Sequence, residues 1–251
     1  MVEQPSVEPY APAQTRIELP KSTPFVTYSL LGLTILIYIA QVLSENLLGT
    51  DLPAYFGMKI NEFIVAGQLW RLITPMLLHS SPLHIGFNMY ALVVIGSGLE
   101  RFFGHGRYLL LYLMGAFAGN VLSFLLSANP SLGASTAIFG LLAAEGVFLY
   151  RHRQIFGEKS RAALQNVITV AAINFLIGLQ PGIDNWGHLG GLLGGLIFAW
   201  VGGPKLEIEG APPFIRLRDE HGSAQVITAV AIILLIFGAL TAYGMGLFGS
   251  F

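Results

Sequence analysis

The chain has 251 residues, 54% of them hydrophobic and only 11% charged, with a net charge of −1 and a mean hydropathy of +0.66. Soluble domains carry about 25% charged residues, so this composition points to a polytopic membrane protein with no bulk attraction for nucleic acid. The absence of cysteine excludes disulfides, thiolate metal sites and a cysteine nucleophile.

Residues 1–23 are polar and Pro-rich and lack the basic start and apolar run of a signal peptide, so they read as a cytosolic tail. Seven apolar segments follow, at roughly 24–43, 82–99, 108–127, 135–150, 162–179, 187–201 and 225–247. A spanning helix needs about 20 such residues. The fourth and sixth segments are shorter and Gly-rich, which suits helices buried inside a bundle that start below one membrane surface. Residues 44–81 form a long connection with apolar stretches of its own, expected to fold against the membrane. Residues 203–224 read as a polar cytosolic linker, and 225–247 as a seventh span beyond a core at 24–202. The fold expected is all-α, a transmembrane helical bundle.

Basic residues set the orientation. Arg101 and Arg107 join spans two and three, and Arg151, Arg153, Lys159 and Arg161 join spans four and five. The connections 128–134 and 180–186 carry no Lys or Arg. The positive-inside rule places the N-terminus in the cytosol and those two connections outside, in a multi-pass protein of the cell membrane. No internal repeat is visible, which argues against an inverted-repeat transporter.

Under this topology Ser135, in "LGASTAIFG", opens span four on the outer side, and His188, in "DNWGHLGGLLGG", opens span six at the same end. A hydroxyl and an imidazole within hydrogen-bond reach make a nucleophile and its base. Asp184 lies near His188 on a loop expected to be exposed, so a dyad is the simpler reading. Gly191 and Gly195 share a helix face with His188, and Gly140 follows Ser135, so small residues allow the two helices to approach closely. Phe139, one turn after Ser135, is placed to stack on the imidazole. Donors for an oxyanion are available at the start of span four and from His84 and Asn88, which share one face of span two. A soluble nucleophile elbow is excluded, because it needs Gly where Ala137 stands and a preceding strand.

These residues resemble the rhomboid intramembrane serine proteases. The resemblance covers roughly 60–202 and rests on Trp70–Arg71, on His79, His84 and Asn88, on Glu100–Arg101 with Gly104, on Gly133–Ala134–Ser135, and on His188, Gly191 and Gly195. It implies Ser135 as nucleophile and His188 as general base. It implies an oxyanion hole from His84, Asn88 and the backbone N–H groups of Ala134 and Ser135. Trp70 and Arg71 would belong to the membrane-embedded first loop, with His79 in its support. The implied reaction is hydrolysis of a peptide bond in or near a substrate's transmembrane segment, without metal or cofactor. The implied partners are transmembrane substrate proteins and the lipid bilayer, with no nucleic acid and no oligomeric state specified. Thr136 departs from the family's Gly-x-Ser-Gly turn. It is the one feature favouring the alternative, a catalytically impaired relative that binds membrane helices for trafficking or degradation.

Overall fold

The structure, a computed structural model, describes residues 23–211 and 214–249, so nearly all of the tail expected at 1–23 lies outside the described residues. Helix α1 (Phe25–Leu48) leads into an ordered connection made of α2 (Leu52–Gly57), α3 (Asn61–Val65) and two 3-10 turns at Leu69–Leu72 and Thr74–Leu77. Then come α4 (Pro82–Phe103), α5 (His105–Leu126), α6 (Ser135–Arg151), α7 (Arg153–Ile177) and α8 (Asn185–Gly202). A hairpin of β1 (Leu206–Ala211) and β2 (Phe214–Asp219) precedes α9 (Ser223–Phe248).

Helices α1, α4, α5, α7 and α9 are long and apolar enough to cross a membrane. The shorter α6 and α8 are the two expected to be buried, and they pack with α5 to form the centre of the bundle. The contact there is made by bare backbone. A Cβ added at Gly115 of α5 would lie 3.3 Å from the Gly140 Cα of α6. One added at Gly191 or Gly195 of α8 would collide with the carbonyls of Thr136 and Gly140. Gly190 presses in the same way on the Ala118 carbonyl of α5, and Gly194 on the Ala118 methyl and the Met114 carbonyl. Lipid supplies no hydrophobic force between helices, so this close van der Waals packing holds the core together.

Chemistry at the helix ends sets their positions. Ser81 caps α4 by accepting from the His84 N–H, ahead of Pro82 at the first helical position. At the other end of α4, buried Glu100 accepts from the N–H groups of Val26 (2.7 Å) and Thr27 (2.8 Å), the Thr27 hydroxyl and His105. A carboxylate is well placed at the positive start of α1. Near the other end of α1, buried Gln41 donates to Asp51 and accepts from the His79 N–H at 3.0 Å.

Two sequence expectations change. Helix α7 begins at Arg153, earlier than the expected 162, but its first turn is set off by Gly157, whose φ of +58° breaks the helix. The linker at 203–224 contains the hairpin. Leu206 and Ile208 alternate with Glu207 and Glu209, opposite Ile215 and Leu217 alternating with Arg216 and Arg218. The hairpin is tied to the bundle where the Leu206 N–H donates to His152 Nε2 (2.9 Å) and where Arg107 reaches Asp219 and the His221 carbonyl (both 2.7 Å). Helix α9 packs on α5 and α8, with Gly202 against Ala229 and Gly244 against Phe124.

Gly191→Ala should lower stability by about 1–3 kcal/mol, because backbone is a neighbour that cannot yield. Gly98→Ala, where nothing lies within 4 Å, should change it by less than about 1 kcal/mol. Thermal unfolding in detergent, with the two variants run side by side, measures the contrast.

Candidate active site

The turn before α6 is held from several directions. Lys59 pairs through its backbone with Ser131, in both directions at 3.0 and 3.1 Å. Its ammonium, fully buried, donates to the carbonyls of Ser127 (2.8 Å) and Asn129 (3.0 Å). Asn61 donates to the carbonyls of Phe124 and Ser127. Gly133 donates to the Pro75 carbonyl (2.9 Å) and carries a φ of +135°, outside the range of ordinary side chains. A Cβ on Gly133 would also stand 2.8 Å from His84 Nε2. The chain therefore enters α6 at a fixed angle, with Ser135 as its first residue.

Helix α8 is placed as firmly. The Asp184 carboxylate caps it by accepting from the Gly187 N–H (2.9 Å) and from the Ser123 hydroxyl of α5. Asp184 is thus partly buried and engaged with the bundle, and not the exposed loop residue expected from the sequence.

These constraints bring Ser135 Oγ to 3.0 Å from His188 Nε2. Ser135 remains partly exposed while the imidazole is buried. Phe139 stacks on the ring, with centroids 4.2 Å apart and planes within 12°. His188 Nδ1 is buried and meets no partner among the described residues. For Nε2 to accept the hydroxyl proton, Nδ1 must carry the ring hydrogen, and no carboxylate among the described residues receives it.

The expected donors surround Ser135 unequally. His84 Nε2 faces Gly133, and Nδ1 lies 3.1 Å from the Ser80 hydroxyl and 3.5 Å from the Ser80 N–H. With Nδ1 accepting there, Nε2 bears the hydrogen and is a free donor. Asn88 is buried and donates one amide hydrogen to the His84 carbonyl (3.1 Å), leaving its second. The Ser135 N–H, at an uncapped helix start, has no acceptor among the described residues. The Ala134 N–H, expected to join these donors, lies 3.4 Å from His79 Nε2. Buried His79 also packs edge-on against His84 at 5.0 Å.

In the outer loop, Arg71 is buried and donates to the carbonyls of Met58 (2.6 Å) and Tyr55 (2.8 Å) and to Gln68, over the Phe63 ring. Exposed Trp70 donates to the Phe56 carbonyl at 3.0 Å. The sequence does not single out Lys59 and Asn61, whose partners are backbone groups distant in the chain, or Ser123 and Ser80, whose partners are the side chains of Asp184 and His84.

Thr136 turns its side chain toward α5 and the start of α8. A Cβ on Gly119 would meet the Thr136 Cβ at 2.6 Å, and one on Gly187 would meet its methyl at 3.1 Å. The extra side chain fills a hollow that the glycines of α5 and α8 leave open. Thr136→Gly should therefore lower stability by about 1–2 kcal/mol through cavity and backbone entropy. The same variant should leave the labelling of Ser135 by a serine-directed acylating probe unchanged.

Burial and the adjacent His84 push the His79 imidazole down to about 3. The unfolded chain binds a proton near pH 6.5 that the folded chain refuses. Neutral His79 thus contributes fully above that pH, and its contribution is lost as the pH falls toward 3. Melting temperature should fall less steeply between pH 6.5 and 4 in His79→Gln than in the parent protein.

Residues 66–205 match the Rhomboid domain family. The chain is 37% identical over 217 residues to Rhomboid protease GluP of Bacillus subtilis (strain 168), covering 86% of this chain and 41% of that protein. It is 37% identical over 214 residues to RHOMBOID-like protein 2 of Arabidopsis thaliana, covering 82% and 67% respectively. It is 32% identical over 170 residues to the chloroplastic RHOMBOID-like protein 9 of the same plant, covering 67% and 39%. The chain thus spans about two fifths of the length of GluP and of RHOMBOID-like protein 9.

Proposed function

Because this chain belongs to the rhomboid family, we propose that it is an intramembrane serine endopeptidase that cleaves transmembrane segments of membrane proteins. The observation that carries the reading is the 3.0 Å approach of Ser135 Oγ to His188 Nε2 at the starts of two buried helices. In the proposed reaction, Oγ attacks the scissile carbonyl carbon while Nε2 takes the hydroxyl proton. The oxyanion forms beside the Ser135 N–H, His84 Nε2–H and the second Asn88 amide hydrogen, with the positive end of α6 behind it. The imidazolium returns the proton to the departing amine as the peptide C–N bond breaks. Water then attacks the Ser135 ester with His188 as base, releasing the carboxylate product and the free hydroxyl.

The Phe139 ring holds the imidazole plane, so the proton moves without a rotation of His188. The Ser135 face of the bundle lies at the end opposite Arg101, Arg107, Arg151 and Arg153. Positive-inside then supports a site that opens to the outer side of the cell membrane, with α1 entering from the cytosol. Substrate spans with Gly or other helix-weakening residues near their outer ends suit it best, because the scissile bond must leave its helix to reach Oγ.

The test is cleavage of a model single-span substrate by the purified protein in liposomes. Ser135→Ala and His188→Ala should each lower the rate by roughly a thousandfold or more. Cleavage that survives both substitutions would overturn the assignment.

A further inference from the structure

Glu145 is a carboxyl inside a membrane-embedded helix that the proposed reaction does not use. Three positions on, Phe148 packs against Phe102 of α4, with ring centroids 4.8 Å apart. One position on, Gly146 faces Val167 and Leu164 of α7, which a Cβ would meet at 3.6 and 3.9 Å. At 100° per residue Glu145 lies between these two directions, on the side of α6 that looks into the gap between α4 and α7. Helix α7 packs on α6 and meets α4 at its first turn, where Phe156 lies edge-on to Phe102 at 6.0 Å; beyond that contact the two helices are not packed together.

Glu145 is partly exposed there. It makes no hydrogen bond or ion pair among the described residues, in contrast to Glu100, which makes four hydrogen bonds with three residues. An unpartnered acid in a spanning helix is costly and marks function. It stands ten residues past Ser135 on α6, about 15 Å deeper along the helix axis.

We propose that Glu145 is a specificity-determining residue that binds a hydrogen-bond donor carried on the substrate's transmembrane helix about ten residues inward of the scissile bond. The proposal rests on the proteolytic reading above. A substrate span in the α4–α7 gap, with its outer end at Ser135, runs beside α6 and rises by the same 1.5 Å per residue. A residue about ten positions toward its inner end is then level with Glu145. Asn, Gln or Lys there gives the carboxyl its missing partner, whereas Leu leaves both the acid and the helix contact unimproved. In a bilayer such a contact is worth about three- to fifteenfold in affinity.

The experiment compares three model spans, identical except for Leu, Asn or Lys ten residues inward of the cleaved bond. kcat/KM is measured in liposomes with the parent protein, Glu145→Gln and Glu145→Leu. The parent should prefer Asn and Lys over Leu by about three- to fifteenfold. Glu145→Leu should cleave all three alike, at the rate the parent shows for Leu. Glu145→Gln should keep the Asn preference and lose that for Lys. An unchanged ranking in Glu145→Leu, or an equal loss on all three spans, overturns the proposal. Binding of the same spans to Ser135→Ala, read by fluorescence quenching, separates this inference from the proteolytic reading. Ranked binding with no cleavage by any form rejects proteolysis and keeps the recognition, cleavage without ranking does the reverse, and unranked or absent binding rejects the recognition.

Discussion

The contact of bare backbones among α5, α6 and α8 is the constraint on which the rest of the structure depends. A side chain at Gly140, Gly191 or Gly195 separates the helices, and the separation acts directly on the Ser135–His188 distance. Hydrophobic burial gives no preference for one arrangement of helices over another in lipid, because lipid tails are as apolar as the helices. Shape then decides, and glycine provides the closest fit. Thr136 belongs to the same surface: its methyl occupies the hollow left by Gly119 and Gly187.

A second constraint governs the irregular segments. The connection between α1 and α4 and the turn before α6 contain many backbone carbonyls outside regular helices. Such groups need partners wherever water is scarce. Arg71, Lys59 and Asn61 supply them, reaching at least five carbonyls between them. Lys59 and Arg71 serve as clusters of donors, and among the described residues neither forms an ion pair with a carboxylate. Arg71 thus braces the loop internally, while Lys59 and Asn61 tie it to the segment that leads into Ser135.

The helical fold was readable because apolar length and glycine spacing act through local geometry. Ser135, His188, Phe139 and the glycines were readable for the same reason, since each sits at a helix start or on a defined helix face. Other features depend on where a side chain points or which distant backbone group it meets. Thr136 announces its volume in the sequence but not that this volume faces α5 and α8. Ala134 is expected to donate to an oxyanion, and the sequence does not show that its N–H also meets His79, 55 residues away. Lys59 and its acceptors are nearly 70 residues apart, with no periodicity linking them. The hairpin did leave a sign, the twofold alternation from Leu206 and from Ile215, which its many charges disguise as a linker.

Helix α1 has most of its surface turned away from the bundle, yet it is pinned at both ends by polar contacts. Glu100 grips Val26 and Thr27 at one end, and Gln41 holds the His79 N–H at the other. The fourteen residue steps from Thr27 to Gln41 make a strut about 21 Å long at a fixed rise per residue. Helix α1 is therefore a gauge rod. The clasp at Glu100 sets the depth at which His79 meets the Ala134 turn, so a slip of one residue there would be transmitted as an offset of about 1.5 Å at the far end of the helix.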